Sequence, residues 1–172
     1  MRKLVLYIAT SLDGYIARAS GAVDWLFTDQ DYGYGEFLAG IDTVLMGRKT
    51  YMQLESFGPY PYSGRRGFVF SRTPRPANAD VTFVSGDLAS FVSGLKGGTG
   101  KGIWLIGGGE VVAECVRHDL IDELFIFTHP IILGAGIPLF ASGLPERPLR
   151  LVGTKTYDSG LLQAHYRRED LK

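Results

Sequence analysis

Three short stretches of the chain set glycine, hydroxyl and cationic side chains directly behind apolar, strand-like runs. The first, Ile106-Gly107-Gly108-Gly109-Glu110, passes directly into a helix-like stretch over 110–117. Consecutive glycines let a backbone turn tightly and approach a ligand closely, and the free N–H groups of the following helix then face an anion such as a pyrophosphate. The second is Met46-Gly47-Arg48-Lys49-Thr50. Cations on a first helical turn oppose the macrodipole, which points to an anionic partner there. The third is Ser71-Arg72-Thr73, two hydroxyls and a guanidinium able to hold a monophosphate. Each stretch has a plainer reading: a tight turn, a solvated cation pair, a polar loop. Taken together, one glycine-rich cradle and two separate arginines suit a dinucleotide carrying an additional phosphate, as NADPH does and NADH does not.

Hydride transfer to a C=N or C=O bond also requires the acceptor to be held against the nicotinamide and a proton to reach the heteroatom. A carboxylic acid in an apolar pocket is one such donor. Asp13 and Asp31 are the candidates, with turn residue and helix cap as their alternatives. Trp25 can wall a substrate pocket or close the core beneath a loop. His118, His129 and His165 have no metal-ligand spacing and read as structural or solvated, so no metal is expected. There is no GxSxG element for a serine hydrolase. The glycine spacing is not the GxGxxG of a Rossmann dehydrogenase.

The elements that must carry these residues alternate between strand and helix. Strands are predicted over 4–9, 43–46, 67–70, 81–84, 103–106 and 124–128, and helices over 32–39, 48–54, 87–95 and 110–117. The 111–116 stripe reads as core. Residues 149–156 and 161–168 flank Tyr157-Asp158-Ser159-Gly160 and form a hairpin. The predicted fold is therefore α/β: a mixed, mostly parallel sheet of about eight strands, helices on both faces, and a C-terminal antiparallel hairpin. One domain over 1–172 is expected, since no linker or repeat divides the chain.

Lys and Arg (18) balance Asp and Glu (18), so no general basic field draws the chain to nucleic acid or an anionic membrane. No apolar run approaches a membrane span, and 4–9 is short for a secretory signal. Cys115 is the sole cysteine, which leaves no internal disulfide or CxxC site and makes a cytoplasmic setting the default. The 167–170 charge run reads as solvated surface.

The motifs resemble the dihydrofolate reductase superfamily. The M-G-R-x-T-[YW] element is Met46 to Tyr51, and I-G-G-G-x-V is Ile106 to Val111. The front, Ala9-Thr10-Ser11-Leu12-Asp13-Gly14-Tyr15-Ile16-Ala17, and the 130–140 segment resemble the C-terminal reductase domain of bacterial riboflavin-biosynthesis deaminase-reductases. This resemblance implies NADPH, with Arg48, Lys49, Thr50, Ser71, Arg72 and Thr73 near the adenosine phosphates. It places Gly107 to Glu110 near the pyrophosphate and the Ser11 to Ala17 loop near the nicotinamide; Ala9, Ile16, Gly47, Ile106 and Val111 join the expected cofactor site, and Ser11 and Trp25 the site of a heterocyclic substrate. It also makes a homodimer plausible, with 125–140 as the interface. Two departures stand out: Gly107-Gly108-Gly109-Glu110 replaces the riboflavin reductases' E-G-G-P pattern, and no zinc deaminase signature precedes it. The expectation is an NADPH-dependent reductase of a small heterocycle, the alternative being an NADP-binding module without turnover.

Overall fold

The computed structural model describes residues 1–169. Its main sheet has eight strands in the order β5-β4-β3-β6-β1-β7-β10-β9. These are β1 (Leu4–Ser11), β3 (Ile41–Gly47), β4 (Arg66–Phe70), β5 (Val81–Val84), β6 (Gly102–Gly107), β7 (Glu123–His129), β9 (Leu149–Thr156) and β10 (Leu162–Arg168). The first six in that order, β5 through β7, pair in parallel. Strand β10 runs antiparallel to both β7 and β9, which is the hairpin the sequence predicts.

Alternation along the central strands divides the core in two. Leu4, Leu6, Leu45, Ile103 and Leu105 face helices α3 (Leu88–Gly97) and α4 (Gly109–Arg117). Val44, Met46, Val69 and Trp104 face the other side, with Tyr51 of α2 (Arg48–Ser56) and Tyr34, Phe37 and Leu38 of α1 (Tyr34–Ala39). Both faces are thus covered, as parallel strands require. The apolar stripe of α4 is core, with Val111, Val112, Ala113 and Cys115 all buried.

The structure corrects several boundaries. Helix α1 begins two residues later than predicted, because Tyr32 and Gly33 sit at positive φ and turn the chain before the helix can start. A two-stranded ribbon, β2 (Tyr15–Ala17) with β8 (Ile137–Pro138), has no periodicity to reveal it. It depends on Gly136, where any Cβ would collide with the Ala17 carbonyl oxygen. Of the 167–170 run, Arg167 pairs with Glu123 at 3.2 Å and Arg168 with Asp119 at 3.6 Å, while Asp170 lies outside the described residues. The 125–140 segment also divides: β7 lies inside the sheet, and the large apolar residues left exposed beyond it are Ile132, Ile137 and Phe140.

Candidate active site at the carboxyl rim

Parallel strands end on one edge, so the ends of β4, β3, β6, β1 and β7 line a common rim, the usual ligand side of an open α/β sheet. Register brings the glycine turns together: Met46 pairs with Gly107, and Gly47 with Phe70, which immediately precedes Ser71. Helices α2 and α4 both start here from glycine N-caps, Gly47 and Gly108, with no side-chain cap. Their first-turn amides, including those of Arg48 and Gly109, are directed at the rim.

The fit between the two turns is close. Thr50 Oγ1 accepts the Gly108 N–H at 2.9 Å, tying the start of α2 to the start of α4. A Cβ on Gly47 would lie 3.1 Å from Val111 Cγ2 and 4.0 Å from Gly108 N, so a side chain there would fill the crevice between the helices. Gly107 has a φ of 126°, a region open to glycine and strained for other residues, and the Gly107–Gly108 peptide is cis. Replacing Thr50 with valine strips the Gly108 amide of its acceptor; a loss of about 1–3 kcal/mol in chemical denaturation is expected.

Lys49 and Arg72 approach from neighbouring strand ends and share one carboxylate, Glu110, at 3.8 and 3.7 Å. All three side chains are exposed, so the pairs add little stability. They do mark a position for an anion between two cations. The Ser71 hydroxyl, by contrast, is engaged in its own turn, donating to the Thr73 carbonyl at 2.7 Å and accepting the Thr73 N–H at 3.2 Å. Arg72 is the outward-facing charge of that turn.

On the β1 side of the rim, Ser11 Oγ accepts the Tyr15 N–H at 2.9 Å and donates to Asp13 at 2.7 Å. Asp13 also accepts the N–H groups of Leu133 (3.1 Å) and Gly134 (2.7 Å). The Ser11 hydrogen bond leads in holding its carboxyl below the usual range, outweighing desolvation and joined by the two amides. Asp13 therefore ties the turn after β1 to the 133–134 backbone, its carboxylate oxygens taken up by Ser11 and two amides. Asp31, two residues before the Gly33 N-cap of α1, accepts the Gly35 N–H of its first turn at 3.1 Å. Ala9 lies within β1 opposite Phe127, and Ile16 packs on the core from β2. Trp25 is buried against His129, and its indole N–H has no partner among the described residues.

Sequence reasoning leaves two ties at this rim unseen. Phe27 N–H donates to His129 Nε2 at 3.2 Å, and Tyr32 and Tyr157 meet edge to face with centroids 4.8 Å apart. Neither has a local signal, because the partners lie more than a hundred residues apart. His165 stacks on Phe125, and His118 pairs with Glu114 at the surface. Among the described residues no group of three His, Cys, Asp or Glu side chains gathers as a metal site, and no helix is long and apolar enough to cross a membrane. Two cavities lie away from the rim. One of about 240 Å³ is lined by Cys115, Phe140 and Leu149, and one of about 390 Å³ lies at the amino ends of the strands.

A mostly parallel sheet with helices on both faces, an antiparallel C-terminal hairpin and glycine turns meeting at one rim define a dihydrofolate-reductase-like protein. Residues 2–163 match the RibD C-terminal domain, and the chain belongs to that reductase-type family. It is 41% identical to the uncharacterized protein YwjB of Bacillus subtilis (strain 168), over 97% of this chain and 98% of that one. Among solved structures it resembles a putative riboflavin biosynthesis protein from Shewanella sp. PV-4. That match has a TM-score of 0.87 and 31% identity, and covers 98% of this chain and 99% of the other. The fold is shared with a diaminohydroxyphosphoribosylaminopyrimidine deaminase/5-amino-6-(5-phosphoribosylamino)uracil reductase from Thermotoga maritima. There the TM-score is 0.76 and identity 18%, and the match covers 97% of this chain and 56% of that longer one.

Proposed function

We propose that this protein is an NADPH-dependent reductase that delivers hydride to a C=N or C=O bond of a small heterocycle. The observation that carries the reading is the pair of glycine-capped helix starts joined by the Thr50–Gly108 bond, with Lys49 and Arg72 converging beside them. The first-turn amides of α2 and α4 suit a pyrophosphate, and the position now taken by the Glu110 carboxylate suits a further phosphate monoester. When bound, NADPH supplies the hydride. The chain's own residues do the rest: the glycine turns bring backbone amides close, and Lys49 and Arg72 pair with the extra phosphate. The family supports reduction, and the Thermotoga relative is itself described as a uracil-derivative reductase.

A second reading, an NADP-binding module without turnover, is favoured by one observation. Asp13 and Asp31 are both engaged by backbone amides, Asp13 by those of Leu133 and Gly134 and Asp31 by that of Gly35. Purified protein mixed with NADPH and a panel of pterins, aminopyrimidines and their ribosylated forms decides between the two. Substrate-dependent loss of nicotinamide absorbance is expected. Saturable NADPH binding with no oxidation by any panel member would support the module instead, and no thermal stabilisation by NADPH would overturn both.

Arg72→Ala tests the placing of the extra phosphate. Removing one charge-assisted hydrogen bond at an exposed site is expected to weaken NADPH about tenfold and leave NADH unchanged. Equal losses for both cofactors in titration calorimetry would place that phosphate elsewhere.

A further inference from the structure

The middle of the loop between β2 and α1 meets the end of β7 at one ring, that of His129. His129 ends β7 in register with Ser11 at the end of β1 and is only 4% exposed. Trp25 meets it edge-on at 5.1 Å and Phe27 lies tilted against it at 4.8 Å. Its Nδ1 is 3.2 Å from the Phe127 carbonyl oxygen, which can only accept, so Nδ1 carries the proton. Nε2 is then the lone-pair nitrogen and accepts the Phe27 N–H. The two bonds together require a neutral imidazole of one tautomer.

The other ties secure the ends of the loop. Arg18 pairs with Asp24, Gln53 donates to the Gly21 carbonyl, and Tyr32 bonds Ser159. Between those ends, the bond from Phe27 to His129 fixes the loop to the sheet.

We propose that His129 is a positioning residue, a neutral latch that seats Trp25 and Phe27 over the ends of β1 and β7 and releases segment 24–31 when its Nε2 is protonated. Protonation replaces the acceptor with a second donor aimed at the Phe27 N–H, so the two groups repel. The groups packed on the ring are Trp25 and Phe27 from the loop, Thr10 and Ser11 from β1, and Phe127 from its own strand; none is charged. The flanking carboxylates are engaged elsewhere, Asp13 with Ser11 and Asp24 with Arg18. Burial, opposed by hydrogen bonding to the Phe127 and Thr10 carbonyls, lowers the imidazole below its ordinary range. The latch is accordingly intact above the usual histidine pKa, and its contribution is lost as pH falls through the lower folded value.

The consequence for substrate rests on the reductase reading, but the latch does not, and its test uses neither cofactor nor substrate. Hydrogen exchange followed from about pH 7.5 down to about pH 5, with rates corrected for intrinsic exchange, is expected to show the Phe27 amide losing roughly tenfold protection or more while β1 and β6 hold. Trp25 emission should fall over the same range. In His129→Gln, whose amide oxygen accepts without titrating, both signals should stay flat. Constant wild-type protection, or an equal loss in His129→Gln, would overturn the latch. Nitrogen NMR of the wild-type ring adds a readout that needs no variant. An Nδ1-protonated neutral tautomer is expected at neutral pH, and an Nε2-protonated one would overturn the assignment. Should the enzyme turn over, acidification through this range is expected to raise the substrate KM more in the parent than in His129→Gln, a comparison in which titration of the cofactor's own phosphate cancels. A failed turnover assay with an intact latch would count against the reductase reading alone.

Discussion

Gly47→Val is expected to weaken NADPH binding by roughly a hundredfold, about 2.7 kcal/mol, in a protein that still folds. The glycine is the N-cap of α2 and stands between two helix starts, where a Cβ would lie 3.1 Å from Val111 Cγ2 and 3.9 Å from the Gly107 carbonyl oxygen. Its φ of −80° is open to any residue, so the penalty is one of space and not of backbone conformation. Two γ-methyls would occupy the crevice proposed for the pyrophosphate and push the first turn of α4 from that of α2. Overpacking of this kind costs about 1–3 kcal/mol of stability. Circular dichroism should therefore report a native fold with a lowered melting temperature, while NADPH no longer raises that temperature. Gly47→Ala, carrying the Cβ alone, should fall between the two. If Gly47→Val bound NADPH as tightly as the parent, the cradle would lie elsewhere on the rim.

Asp42→Ala is expected to destabilise the fold by about 2–3 kcal/mol and lower its melting temperature by roughly 5–10 °C. This site lies at the opposite end of the sheet. Arg2 is buried there, with its side chain 3% exposed, and its guanidinium pairs with Asp42 while bonding Thr43 Oγ1 and the Lys101 carbonyl at 2.7 Å each. Deleting Asp42 leaves a buried cation with neutral partners only. The expected loss sits below the full cost of an unpaired buried charge, because Asp42 is itself 36% exposed and water can enter. Burial by itself would raise the Asp42 pKa, but the Lys101 N–H, the Thr43 hydroxyl and Arg2 outweigh it and hold the carboxyl below its usual value. Stability from this group is thus complete above the ordinary aspartate pKa and is lost as pH falls through the lower folded value. Urea unfolding of the parent and Asp42→Ala at neutral and acidic pH checks both points. The gap between them should narrow in acid, and a gap that stayed constant would mean the pair contributes no charge interaction.

The elements were legible because their signals are local. Residues 81–84 alternate as a strand and are one, and Asp87 caps α3 by accepting the Ala89 N–H at 3.0 Å. The glycine turns at 47 and 107–110 also announced themselves, since their composition serves the nearby backbone. The β2–β8 ribbon did not: its two strands are three and two residues long, and what holds them is the close approach of Gly136 to Ala17. Asp13 shows the limit most clearly. Leu-Asp-Gly is compatible with a turn residue or an acid, and only the amides of Leu133 and Gly134, some 120 residues away, give it the task of a clamp.

Residue order alone was enough for the alternation of strands and helices, the C-terminal hairpin and the glycine turns behind the strands, and the resemblance of its motifs pointed to a reductase-type family. The elements and turns follow from side-chain periodicity and from the backbone freedom of glycine, which act over a few residues. That β4, β3 and β6 are neighbours, so that Arg72, Lys49 and the 107–110 turn share one rim, came only with the folded chain. The same holds for His129, which reads as structural or solvated in the sequence until parallel pairing sets it beside Ser11 and under Phe27. Strand order and cross-chain hydrogen bonds arise from burying both faces of the sheet at once, a constraint on the whole chain that no single segment records.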